Sequence, residues 1–215
     1  GANNPDGVRR IEIRNADNTI YFALQDSDGI WPNGANTAEI VRREVMTLNN
    51  FHSLSFKNII QGFYNSQTNS MVSDTAKVIM RNILPPYNII DSSVSVLDQN
   101  GNTMFNFNNV FNDSSYYIDF RHRNSIDTWS GAGQSFSLNY MSYDFSSSAS
   151  MAYGSNLIEV NNSPVIFATY NGDVNHDGLI DLNDVVEVYN NASSFVRGYV
   201  STHVNYDDIV DLSDI

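Results

Sequence analysis

The sequence predicts a mainly β protein: a β-sandwich followed by a small, α-helical, ion-binding unit at the C-terminal end. Three observations predict it. Charged residues make up only 16% of the chain, against about 25% in an average soluble domain, and Asn, Ser and Asp fill the polar positions instead. Tyr, Phe, Val and Ile dominate the apolar positions, a composition suited to short strands joined by tight turns. The last stretch, residues 171–215, carries a dense and regularly spaced set of acids.

Residues 1–50 are expected to form a polar arm and a hairpin. Arg9, Ile11 and Ile13 alternate with polar neighbours, Asn15-Ala16-Asp17-Asn18 is a turn, and residues 19–24 form a second strand. The turn-rich words Asp26-Ser27-Asp28-Gly29 and Trp31-Pro32-Asn33-Gly34 follow. Residues 37–48 fit either a short helix capped by Thr37 or a further strand. The opening Gly1-Ala2-Asn3-Asn4-Pro5 has no signal-peptide pattern and reads as an internal start, so the chain is expected to be a mature or excised piece.

Residues 51–170 have the rhythm of an all-β sandwich. Apolar runs at 54–62, 76–81, 94–97, 104–107, 116–122, 135–143, 156–160 and 165–170 alternate with polar turns. Asp98-Gln99-Asn100-Gly101 is the strongest turn, since Asn-Gly readily takes the positive φ of a tight hairpin. Ile118 and Phe120 fall on one face of their strand, Tyr117 and Asp119 on the other. Pro85-Pro86 belongs to a loop or a sheet edge, because proline cannot donate to a ladder.

The net charge of −13 argues against nucleic acid as a partner, because phosphate binding needs concentrated Lys and Arg. Its distribution points elsewhere. Residues 171–215 hold nine acids and one base, Arg197, and so contribute −8 of the total. Such a block repels itself unless cations enter. The absence of cysteine excludes disulfides, a thiolate zinc site and a cysteine nucleophile. No run of roughly 18 apolar residues is present to span a membrane.

The acidic segment contains a repeat with a period of 30 residues. Positions 173–185 (DVNHDGLIDLNDV) align without gaps to 203–215 (HVNYDDIVDLSDI), with six of thirteen residues identical. Calcium takes about six to eight hard oxygens at about 2.3–2.6 Å from a loop that curls around it. The first copy supplies them in register: Asp173, Asn175 and Asp177 alternate, Gly178 permits the bend, and Leu179 offers its carbonyl. Asp181 then ligates directly or through water, and Asp184 closes the shell as a helix begins, expected over 182–190 with Val185, Val186 and Tyr189 at helical spacing. In the second copy Asn205, Asp207, the Ile209 carbonyl, Asp211 and Asp214 stay in register. His203 replaces the first acid and Asp208 the bending glycine, so this site is expected to bind more weakly. Ile180 and Val210 are expected to pack the two loops together.

These loops resemble dockerins of type I, whose EF-hand-like repeats use Asp at the closing position where ordinary EF-hands use Glu. The resemblance spans 172–215 and implies a calcium-locked fold. Dockerin docking to cohesin relies on small hydroxyl residues at loop positions 10 and 11. Here those positions are Leu182-Asn183 and Leu212-Ser213, and only Ser213 fits. The chain stops at Ile215, where a second helix is expected, so the polypeptide is expected to continue or a neighbouring molecule to complete the unit. The words Gly62-Phe63-Tyr64-Asn65 and His122-Arg123-Asn124-Ser125, with the strand rhythm around them, are similar to sandwich repeats in secreted surface proteins of the Bacteroidetes–Ignavibacteria type. That resemblance implies an immunoglobulin-like or prealbumin-like sandwich in a secreted, bacterial cell-surface protein.

Other motifs are weaker. Asp26-Ser27-Asp28-Gly29 has no further ligands in register and reads as a plain turn. His122 with Asp119 or Asp127 lacks a serine elbow or a paired-carboxylate setting and reads as a cross-strand or surface histidine. His52, His176 and His203 are too scattered for zinc. Trp31, Trp129 and the tyrosines fit core or sheet-face packing better than a sugar platform. The expected function is a non-enzymatic extracellular structural protein, with three domains at 1–50, 51–170 and 171–215. Its partner is then a protein or further copies of itself. A carbohydrate-binding module of a polysaccharide-degrading complex is the alternative.

Overall fold

The structure is a computed structural model that describes residues 51–205 and 207–215 in full and, before them, only the backbone of 10–14, 19–23 and 46–47. The chain forms two compact units, 1–50 and 51–215. In the first, β1 (Arg10–Arg14) pairs antiparallel with β2 (Thr19–Ala23) from Arg10↔Ala23 to Arg14↔Thr19, and β2 pairs with β3 (Met46–Thr47). Asp26-Ser27-Asp28-Gly29, Trp31 and most of 37–48 lie outside the described residues.

The second unit begins with β4 (His52–Lys57), the short hairpin β5 (Tyr64–Asn65) and β6 (Ser70–Met71), then β7 (Asp74–Asn82), β8 (Ile89–Leu97) and β9 (Asn102–Phe107). It continues with β10 (Ser115–His122), β11 (Ser125–Trp129), β12 (Gln134–Ser135), β13 (Tyr140–Asp144), β14 (Ile158–Asn162) and β15 (Val165–Ala168). One sheet runs β11-β10-β7-β8, with β12 also on β10; the other runs β13-β4-β9. The β4–β13 pair is parallel and the remaining pairs of both sheets are antiparallel.

Period-2 alternation explains why the two sheets face each other. Leu54, Phe56, Phe105, Phe107, Met141 and Tyr143 point inward from one sheet, and Ala76, Val78, Met80, Ile118 and Phe120 from the other, all nearly fully buried. Phe56 and Phe120 stack across the gap with centroids 5.7 Å apart, and Phe145 meets Phe56 edge-on. Burying such side chains is worth about 1.5–3 kcal/mol each relative to exposure, so this layer holds the sandwich together. Asp119 is also fully buried, on the opposite face of β10, where it accepts from Arg81 Nε at 2.7 Å.

Two expected runs differ in detail. The 135–143 run is two strands, β12 and β13, split where Ser137 and Tyr140 pair across a tight turn with Leu138 and Asn139 at positive φ. The 54–62 run ends as a strand at Lys57 and closes in a single helical turn over Gln61–Phe63. At the Asp98 turn, Asp98 Oδ1 accepts from the N–H groups of Asn100 and Asn102, and Gly101 takes φ +76.

After β15 the chain forms one α-helix, α1 (Leu182–Ser193), and a short turn at Leu212–Asp214. Val174, Val188, Ala192 and Val210 form a second, small core with Val196, Val200 and Val204 around it. The buried face of α1 is Asp184, Val188 and Ala192, spaced four apart. The helix expected over 182–190 from the spacing of Val185, Val186 and Tyr189 runs to Ser193, and those three residues are 40–57% exposed. No helix among the described residues is long and apolar enough to cross a membrane.

Candidate metal centre

The first loop folds around Asp184. Its Oδ1 accepts from the N–H groups of Val174 (2.8 Å) and Asn175 (3.3 Å), and its Oδ2 from Asp181 N–H at 2.9 Å. Asp181 caps α1 by accepting from Asn183 N–H at 2.7 Å. Those two acids form a reciprocal capping box, which places negative charge on otherwise unpaired donors at a helix N-terminus. Upstream, Asn175 Oδ1 accepts from Asp177 N–H and Asp177 Oδ1 from Leu179 N–H, so each polar side chain ties the backbone two residues on. Gly178 takes φ +86, the bend for which glycine is suited.

Asp173 sits at the head of this loop, only 2% exposed. Its Oδ2 accepts from Gly178 N–H at 3.2 Å, while Oδ1 is buried without a hydrogen-bond partner among the described residues. Burial pushes its carboxyl pKa up, the Gly178 N–H and His176 pull it down, and the neighbouring Asp184 adds to the rise. A buried carboxylate oxygen with no donor is costly, and a cation removes that cost. The donors around it are all oxygen, the chemistry of a hard ion. Among the described residues no group of three or more His, Asp or Glu side chains stands converged as a metal cluster; the carboxylates lie turned onto backbone N–H groups.

The second loop repeats the pattern bond for bond. Asp214 Oδ1 accepts from Val204 N–H (2.9 Å) and Asn205 N–H (3.2 Å), and its Oδ2 from Asp211 N–H (3.0 Å). Asp211 accepts from Ser213 N–H at 2.7 Å, in a second capping box. Asn205 Oδ1 receives Asp207 N–H and Asp207 Oδ1 receives Ile209 N–H. Asp208 holds φ +76 at the place of Gly178. His203, 3% exposed, offers Nε2 to Asp208 N–H at 2.8 Å, where Asp173 uses a carboxylate oxygen. The pairing expected of Ile180 and Val210 is unequal: Val210 is fully buried, while Ile180 is 46% exposed.

The sandwich grips the second loop at its entrance. Arg123 Nη1 donates to the carbonyls of Val200 and His203, and Asn124 Nδ2 donates to His203 O at 3.0 Å. Asn171 Nδ2 donates to Val204 O at 3.0 Å. Arg123 is itself fixed: its Nε donates to Asp74 at 3.0 Å, and its guanidinium lies over Tyr199 and Phe63. Asp74 also meets His122 Nε2 at 3.0 Å, and Ser125 Oγ lies 3.3 Å from His122 Nδ1. Burial would raise the Asp74 pKa, but hydrogen bonds from His122 and Tyr199, the His122 charge and the Thr75 N–H outweigh it and hold it at about 2.

Sequence reading located neither Asp74 nor the roles of Arg123 and Asn124, because nothing in a strand's alternation marks a side chain that reaches a carbonyl 80 residues away. The partner of His122 is Asp74, neither Asp119 nor Asp127. Asp74, His122 and Ser125 are all buried, and through Asp74, which accepts from Arg123 Nε, the array braces Arg123. Trp129 packs with Tyr87, Tyr117 and Arg81, its ring inclined at 88° and 45° to those of the tyrosines. A sugar platform needs coplanar exposed rings, and this cluster lacks them.

No family model matches the sequence, and no curated protein matches it. Among solved structures the chain is similar to chains of two interface mutants, C-terminal and N-terminal, of a type II cohesin–X–dockerin complex from Acetivibrio cellulolyticus. The identities are 17% and 16%, with TM-scores of 0.41 and 0.39. Each alignment covers 76% of this chain, and 90% and 88% of the chains matched. Likeness at that level is too slight to carry a functional assignment.

Proposed function

We propose that this chain is a non-catalytic, extracellular assembly module whose dockerin-like C-terminal segment is stabilised by calcium. The observation that carries the reading is Asp173, a buried carboxylate with one unpartnered oxygen at the head of an acidic loop. Asp173, Asn175, Asp177, the Leu179 carbonyl, Asp181 and Asp184 would hold the ion. Asn205, Asp207, the Ile209 carbonyl, Asp211 and Asp214 form a second set with one carboxylate fewer. Calcium would neutralise the self-repelling acids, so the segment folds fully when it is present. A cation at a hundred times its dissociation constant adds about 2.7 kcal/mol to stability.

The function that follows is to join: a rigid sandwich presents a calcium-set surface to a protein partner or to further copies of the chain on a bacterial cell surface. The exposed Leu179, Leu182, Val186 and Leu212 give that surface its apolar character. Thermal unfolding of the whole chain in chelator, in magnesium and in calcium tests the reading. Calcium should raise the midpoint by several degrees, magnesium less, and Asp177→Ala should cut the calcium increment. Equal midpoints in calcium and chelator would sink it.

A further inference from the structure

The two loops share one hydrogen-bond pattern but are held in different ways. At the first, the hydrogen bonds to the sandwich among the described residues stop before the loop: Gly172 N–H donates to Asn124 O at 2.6 Å, and Ile126 N–H to Tyr170 O at 3.1 Å, while within the loop His176 only lines a cavity with Arg121 and Asp127. At the second, they enter it. The carbonyl of His203, the loop's first residue, accepts from both Arg123 and Asn124, and that of Val204, its second, accepts from Asn171. The fit is close enough to need a glycine opposite: a Cβ on Gly62 would stand 2.6 Å from Val204 O and 2.3 Å from Asn171 Nδ2.

Inside the loops the difference runs the same way. Asp173 brings a buried carboxylate with an oxygen that has no hydrogen-bond partner among the described residues. His203 fills the corresponding place with a ring nitrogen that accepts the Asp208 N–H at 2.8 Å, where the first loop has a carboxylate. The first loop is therefore short of a cation in a way the second is not.

We propose that Arg123 and Asn124 are positioning residues which do for the second loop what a bound cation does for the first. The second loop keeps its fold in the cation-free chain and is the fixed point on which the C-terminal segment is built. The first loop alone responds to calcium with a change in order. The contrast rests on the calcium reading of the first loop; the anchoring of the second does not.

Backbone amide hydrogen exchange on the full chain, in chelator and in calcium, tests this. In chelator the amides of Val204, Asn205, Asp208 and Asp211 should be protected at least about tenfold more than those of Val174, Asn175, Gly178 and Asp181. Calcium should then slow exchange mainly in the first set of loop amides, those of 174–181. Asn124→Ala and Gly62→Ala should each lower second-loop protection in chelator about tenfold, with Val78 and Ile118 in the sandwich unchanged. Second-loop amides that exchange as freely as those of the first loop in chelator would overturn the proposal. So would full second-loop protection in both variants. If calcium leaves the first loop unchanged while the second stays protected in chelator, the calcium reading fails and the anchoring stands.

Discussion

Asp173 and His203 occupy corresponding places one repeat apart, and each accepts the backbone N–H of the residue five positions on: Gly178 to Asp173 Oδ2 at 3.2 Å, Asp208 to His203 Nε2 at 2.8 Å. A carboxylate and an imidazole thus close the same turn. Only the carboxylate leaves a buried oxygen unmet among the described residues, and on that difference the proposed unequal response of the loops to calcium rests.

Restoring the acid should restore the site. His203→Asp gives the second loop the donor it lacks and is expected to tighten calcium binding there about tenfold, at the cost of a lower unfolding midpoint in chelator. Calorimetry and thermal unfolding on the same variant read both effects. A higher midpoint in chelator with no gain in affinity would refute this account of His203.

Asp208 holds φ +76, a region that costs an L-residue about 1–2 kcal/mol. Glycine removes the strain but adds unfolded-state entropy of about 0.5–1 kcal/mol. Asp208→Gly is therefore expected to stabilise the chain by about 0.5 kcal/mol in urea unfolding. The same change made in reverse, Gly178→Asp, should destabilise it.

Acid should weaken the fold in two stages. Burial holds the His122 pKa below 6.5, with Arg123 acting the same way and Asp74 opposing. The unfolded chain then takes up a proton that the folded chain resists, and stability is lost as pH falls below about 6.5. Asp74, held at about 2 against 3.8 unfolded, contributes stability above about pH 4 that disappears towards pH 2, on the order of 2 kcal/mol. Unfolding midpoints between pH 7.5 and 5 should therefore slope downward, and His122→Gln should flatten that slope. An unchanged slope in the variant would show that other groups set it.

Much of the sandwich was legible because strand periodicity is a local property. Ile118 and Phe120 read as sharing one face of their strand, and both are fully buried on it. The repeat was legible because the two loops carry the same residue spacing along the chain, and they share one hydrogen-bond pattern. Two things were not. The spacing of Val185, Val186 and Tyr189 announced the helix but not its packed face: the helix turns Asp184, Val188 and Ala192 inward, with Asp184 accepting the loop's N–H groups. The clamp of Asp74, Arg123 and Asn124 on residues 200–204 joins segments far apart in sequence, and no spacing rule announces it.

Phe120 supports the sandwich, not the loops. Phe120→Ala removes a fully buried ring stacked on Phe56 and is expected to cost about 3–5 kcal/mol in urea unfolding. The calcium affinity of the folded fraction should stay within about twofold, since independent sites add.

Calorimetric titration of the whole chain with calcium, for the native sequence and for Asp184→Ala, tests the central claim most directly. The account predicts saturable binding at a tight site, with or without a weaker second phase, and loss of the tight phase alone in the variant. A native chain that takes up no calcium would contradict it.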